Sequence, residues 1–177
     1  ESMAIDLASF TSGDFDQNVT AELVAESLIA GLYNYDRFKT QKTIVTLKNV
    51  SFFGDEVENK SIMRGEKIGS ALNIARDMAN DPPNYLTPSK MGEIAAEIAN
   101  DITHMECKVL DRDEMASLGM GSFLGVAQGS IEPPKLVVME YRGNPQDEAN
   151  KVALIGKGIT FDSGGLDIKS AAGMRTM

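Results

Sequence analysis

One cysteine, one histidine and no tryptophan occur in these 177 residues. A single cysteine, Cys107, rules out an internal disulfide framework and a multi-cysteine zinc site, and it fits a reducing compartment. A nucleophilic cysteine would want a histidine partner, and the sole histidine, His104, lies just upstream in a stretch that reads as a surface turn. Cys107 is therefore read as a small apolar packing residue. No segment approaches the run of ~20 apolar residues needed to span a bilayer. The start, Glu1 to Asp6, has no basic stretch leading into an apolar one, so no secretory signal is visible. Both absences point to a cytoplasmic protein without a membrane partner. Positive charge is also short: 17 Lys and Arg against 26 Asp and Glu leave a net charge of −9. That balance repels a phosphate backbone, and with no basic patch in the sequence nucleic acid is not an expected partner.

What is present is the composition of a soluble globular chain, with 42% hydrophobic and 24% charged residues. Apolar residues Leu23, Val24, Leu28, Ile29, Leu32 and Tyr33 recur at helical intervals, which predicts an amphipathic helix from Val19 to Phe38 capped by Asn18 or Thr20. Thr43 to Leu47 reads as a β-branched strand and Met3 to Leu7 as another. A second helix is predicted over Ser61 to Met78, with Ile68, Ala71, Leu72 and Ala75 inward and Asn80-Asp81-Pro82-Pro83-Asn84 ending it. A third starts at Thr87-Pro88 and carries Met91, Ile94, Ala95 and Ile98 inward. Cys107 to Leu110 reads as a strand, followed by a short helix capped by Asp111 and stopping near Gly119. Lys135 to Tyr141 and Lys151 to Ile155 read as two strands whose short polar connection predicts antiparallel pairing if they are neighbours. The second runs into Gly156-Lys157-Gly158, and ligands of α/β sheets bind beyond strand ends.

The charged residues of the segment that follows are Lys157, Asp162 and Lys169, set among glycines. Glycine permits tight turns, so the segment can fold both lysines and the aspartate toward one point. Better-known loops do not fit. A phosphate loop of the GxxxxGK[ST] type would need glycine where Lys151 stands and Ser or Thr where Gly158 stands. A nucleophile elbow would need glycine at Phe161, and the trypsin-like reading of Asp162-Ser163-Gly164-Gly165 lacks both its histidine and its disulfides. The plainer alternative keeps Lys157 and Lys169 as solvated surface lysines and Asp162 as a turn cap.

Three ordered stretches give the segment a context. Asn80 to Pro88, Gly121 to Ser130 with Pro133-Pro134 following, and Gly156 to Lys169 are similar to the NxPxNxxTP, GSFLxVxxGSxxPPxL and GKGxTFDSGGxxxK patterns of the leucine (cytosol) aminopeptidases. The resemblance implies a metal-dependent aminopeptidase that hydrolyses the N-terminal peptide bond of a peptide with a free N-terminus, using two divalent ions, Zn2+ or Mn2+, and a water they activate. It implies Lys157 as a ligand through its neutral amine, Asp162 as a carboxylate ligand, and Lys169 as the charged catalytic group that polarises the scissile carbonyl. Gly156, Gly158, Ser163, Gly164 and Gly165 would shape the loop, Asp167 would face solvent, and Met174 and Met177 are core or pocket candidates. A homohexamer is the implied assembly of the full-length protein.

The expected fold class is α/β: the end of an N-terminal α/β domain at 1–57, a connecting helix at 58–80, and the first part of a mixed-sheet α/β catalytic domain at 81–177. Further acidic ligands and an arginine of the family pattern would lie beyond Met177, and Arg175 stands where the family often has an acidic residue. Two ions held by one lysine and one aspartate would be under-coordinated. The chain alone is thus expected to be inactive. The rival reading from another class is a non-catalytic α/β binding or assembly module that keeps the loop for its structure.

Overall fold

The computed structural model describes every residue except 11, 12, 14, 55, 56, 148, 149, 166, 167 and 175–177. The chain divides into two compact units, Glu1–Asp81 and Pro82–Met177. In the first, strand β1 (Ser2–Asp6), helix α1 (Gln17–Gly31), strand β2 (Asn49–Phe53) and helix α2 (Asn59–Asn80) follow in order. β1 and β2 pair in parallel from Ser2↔Asn49 to Asp6↔Phe53, with α1 in the connection as parallel pairing requires. Ile5, Leu7 and Ala21 form the buried centre, and Met3, Val24, Leu28, Val50, Phe52, Val57 and Ile62 pack against it.

Two expected features of α1 change. Its N-cap is Asp16, whose carboxylate accepts the Val19 N–H at 2.8 Å. Asn18 instead accepts the Glu58 N–H, and the Thr20 hydroxyl donates to the Asp16 carbonyl. The helix ends at Gly31 instead of Phe38. Beyond it, Tyr33, Tyr35 and Arg37 turn their polar ends to Asp77 and Asp81 at the end of α2, which a continued helix would not allow.

The strand expected at Thr43 to Leu47 is absent, and the pairing register runs through Asn49–Phe53. Propensity located a β-rich stretch; the hydrogen bond from Lys48 N–H to the Glu1 carbonyl, at the mouth of the ladder, shows where the partner begins. The inner face of α2 also differs. Ser61, Gly65 and Gly69 are buried, whereas Ile68, Ala71, Leu72 and Ala75 are exposed. Close approach decides this face, because the glycines let α1 come nearer than larger side chains would.

The second unit contains helix α3 (Pro88–Asp101), strand β3 (Met105–Leu110), helices α4 (Arg112–Ser117) and α5 (Gly121–Val126), strand β4 (Leu136–Tyr141) and the short helix α6 (Ala171–Met174). Local chemistry fixes several of these as expected. Thr87 accepts the Lys90 N–H with Pro88 at the first helical position. Asp111 and Glu114 form a reciprocal capping box at the start of α4. His104 sits in the turn before β3 at φ 66°, a left-handed conformation that histidine tolerates better than most residues.

β4 pairs antiparallel with β3, from Met105↔Tyr141 to Leu110↔Leu136, and not with the segment after it. The strand expected at Lys151 to Ile155 is not formed: Val152, Leu154 and Ile155 are 88%, 94% and 97% exposed. Apolar β-branched residues favour a strand only where a neighbour takes up the backbone groups, and no described residue pairs with this stretch. Among the described residues of the unit, the side chains of Leu86, Ala95, Ala99, Leu110, Met115 and Pro134 are buried. Among the described residues no helix is long and apolar enough to cross a membrane.

Candidate metal loop

The segment from Gly156 to Ser170 is without regular structure where it is described, so glycine conformations and a few hydrogen bonds set its course. Gly158, Gly164 and Gly165 all have positive φ, at 54°, 90° and 66°. Side-chain-bearing residues pay strain there, so these three positions explain why the run needs glycine. Gly156 lies in open space at ordinary φ. A Cβ on Gly158 would rest 3.7 Å from the Met91 sulfur, so the turn around Lys157 passes over α3. No local pattern signals that contact; Met91 is recognisable beforehand only as an apolar helix position.

Asp162 is where the segment converges. Its Oδ1 accepts the Gly164 N–H at 2.9 Å, a local turn that aims the carboxylate. Its Oδ2 lies 2.8 Å from Lys169 Nζ and 3.9 Å from Lys157 Nζ. The Lys169 ammonium also donates to the Asp162 carbonyl at 3.3 Å, while the Lys169 N–H donates to the Ser163 carbonyl at 2.8 Å. The Asp162 carboxyl is held below the usual aspartate range, first by the Lys169 hydrogen bond, then by the Gly164 N–H, with a smaller contribution from the Lys157 charge.

The three charged positions singled out in the sequence are therefore close in space, although unequally presented. Lys157 is 74% exposed in its side chain, against 36% for Asp162 and 27% for Lys169. Met174 is half-buried in α6. Asp167, Arg175 and Met177 lie outside the described residues.

The donor set suits part of a divalent-metal site. The ionised Asp162 carboxylate can face a cation, and Lys157 could join it only as the neutral amine, after losing its proton. No group of three or more His, Cys, Asp or Glu side chains able to hold a metal occurs among the described residues. The loop thus offers some of the ligands that a hard cation needs.

Comparisons with known proteins bear on the same stretch. The profile of the cytosol aminopeptidase family, catalytic domain, matches residues 73–177. A cytosol aminopeptidase of Pseudomonas aeruginosa is 41% identical over 167 residues, covering 92% of this chain and 34% of that protein. A probable cytosol aminopeptidase of Alkaliphilus oremlandii is 38% identical over 189 residues, covering 100% of the chain and 37% of its own length. The chain spans about a third of the length of these relatives. Among solved structures, the bottromycin maturation enzyme BotP in complex with Mn superposes with a TM-score of 0.81 at 32% identity, over 97% of this chain and 35% of that one. A tomato leucine aminopeptidase mutant gives 0.82 at 26% identity, over 92% and 34%. The α/β fold is common to them.

Proposed function

Because the chain belongs to the cytosol aminopeptidase family, we propose that its protein is a metal-dependent aminopeptidase that releases the N-terminal residue of peptides, with Lys157, Asp162 and Lys169 as part of the active site. One observation carries the assignment of residues. Within the stretch matched by the catalytic-domain profile, both lysines reach the same carboxylate oxygen of Asp162.

Two divalent ions, zinc or manganese, would supply Lewis acidity and an activated water when bound. Each residue of the chain has a narrower task. Asp162, ionised and aimed by the Gly164 N–H, provides the carboxylate ligand. Lys157 provides an amine ligand from the exposed side of the loop. Lys169 provides a positive charge for the carbonyl oxygen of the scissile bond as that oxygen becomes negative. Gly158, Gly164 and Gly165 hold the turns that keep these groups together.

One amine and one carboxylate do not complete the coordination of two hard cations, so the 177-residue chain by itself neither holds both ions tightly nor turns over substrate. At the relatives' full length the protein is proposed to be a cytoplasmic homohexamer acting on peptides with a free N-terminus. The net charge of −9 is consistent with a protein that does not bind nucleic acid. Hydrolysis of a leucyl amide by the full-length protein tests this reading. Activity lost to a chelator and restored by Mn2+ supports it; activity indifferent to chelation, or none with any peptide amide, overturns it.

A further inference from the structure

Asp162 already has a cation seated on it. Lys169 Nζ lies 2.8 Å from Asp162 Oδ2 and donates to the Asp162 carbonyl as well, so two oxygens of one residue hold the ammonium. Its backbone is pinned across the Gly164–Gly165 turn by the bond from Lys169 N–H to the Ser163 carbonyl. Oδ1 is engaged by the Gly164 N–H. Lys157 Nζ stands 3.9 Å from the same Oδ2 with most of its side chain in solvent. A divalent ion bound between Asp162 and Lys157 through Oδ2 would compete with Lys169 for that oxygen. A dication and an ammonium a few ångströms apart repel, so entry of the ion weakens the Lys169 contact.

We propose that Lys169 is a built-in placeholder cation, seated on Asp162 until a divalent ion displaces it, so that ion entry and release of the Lys169 ammonium are one exchange. The idea rests on the reading of Asp162 as a metal ligand. It gives Lys169 a role before any substrate arrives: the carboxylate is neutralised and the loop held folded without the ion. The long unbranched side chain can swing away while its backbone bond to Ser163 stays in place.

The test uses the 177-residue chain with Mn2+ as the probe, reading paramagnetic broadening of the Gly164 amide by NMR in wild type, Lys169→Met, Lys169→Arg and Asp162→Asn. Removing the ammonium should lower the Mn2+ concentration for half-broadening by about fivefold or more in Lys169→Met, since partly exposed ion pairs compete at that scale. Lys169→Arg, which keeps a cation, should stay near wild type. In the wild-type chain, which no substitution has perturbed, diamagnetic Zn2+ should shift the Lys169 side-chain nitrogen resonance, and Asp162→Asn should abolish that shift. If Lys169→Met binds Mn2+ no better than wild type, or Zn2+ leaves the Lys169 resonance unmoved while Asp162→Asn still abolishes broadening, the placeholder role is wrong and the ligand role of Asp162 stands. Broadening that Asp162→Asn leaves unchanged overturns both.

Discussion

Gly65 of α2 faces the backbone carbonyl of Glu22 in α1 so closely that a Cβ on it would lie 2.2 Å from that oxygen. The atom in the way is main chain, so no rotamer change relieves the clash, and the two helices must separate. Gly65→Ala is expected to destabilise the first unit by about 3 kcal/mol, the upper part of the usual range for overpacking. Gly69→Ala should cost less, because its Cβ would meet the Glu26 carbonyl and the Ile29 side chain at 3.0 Å. Urea unfolding of both variants checks the order, and equal or reversed effects would refute the close-contact account.

Tyr35 is the second point of attachment between the segment after α1 and the end of α2. Its hydroxyl donates to Asp81 Oδ1 at 2.7 Å, Arg37 reaches Oδ2 at 2.6 Å, and the Asp81 side chain is 1% exposed. Burial and the Asp81 carboxylate push the Tyr35 phenol up to about 12. A raised value means that the proton is held more tightly in the folded state. The stability this confers is complete below the ordinary phenol value of about 10 and is lost as pH rises toward the folded value. Phenolate absorbance should show a tyrosine ionising late, and Tyr35→Phe should remove that transition along with part of the alkaline loss of stability.

Asp111 has the opposite sign. The Glu114 N–H, followed by the Asp113 N–H and the Lys135 charge, keeps its carboxyl below the usual aspartate range. A lowered value contributes stability that is present above the ordinary aspartate value of about 3.9 and lost as pH falls through the folded value beneath it. Asp111→Asn retains an acceptor for the capping bonds and should flatten that acid dependence with little loss at neutral pH. Asp111→Ala should lose stability at every pH. Thermal midpoints measured across the acid range distinguish the two.

These cases also mark what could be read from the sequence. Thr87-Pro88 and Asp111 announced the starts of α3 and α4 because a cap is a bond between a side chain and an amide a few residues away. Hydropathy does not reveal the inner face of α2, because Gly65 and Gly69 carry no hydrophobicity; their value lies in what approaches them. β2 lies later in the chain than propensity indicates, since Thr43 to Leu47 has the stronger β propensity and only the position of β1 fixes the register. Val152 to Ile155 has the composition of a strand and no neighbour among the described residues.

The candidate site was legible in a different way. Local spacing located the loop, and the positive φ of Gly158, Gly164 and Gly165 accounts for its glycines. Spacing did not reveal that Lys169 would sit directly on Asp162 while Lys157 stayed at 3.9 Å, because that depends on the turn between them. Nor did it reveal Met91 beneath Gly158, a contact between distant segments. The chemistry came from the ordered family stretches, since isolated glycines and charges are common in loops.

The most direct test of the central claim is leucyl amide hydrolysis with Mn2+ by the protein at its relatives' full length, comparing wild type with Asp162→Ala. Loss of an outer-shell partner in metal sites costs roughly 10–100-fold, and loss of a ligand should cost more. The account predicts a fall in kcat/KM beyond about a hundredfold with the fold retained by circular dichroism. An Asp162→Ala protein with undiminished kcat/KM and metal dependence would contradict it, leaving the Gly156 to Lys169 loop as a structural element only.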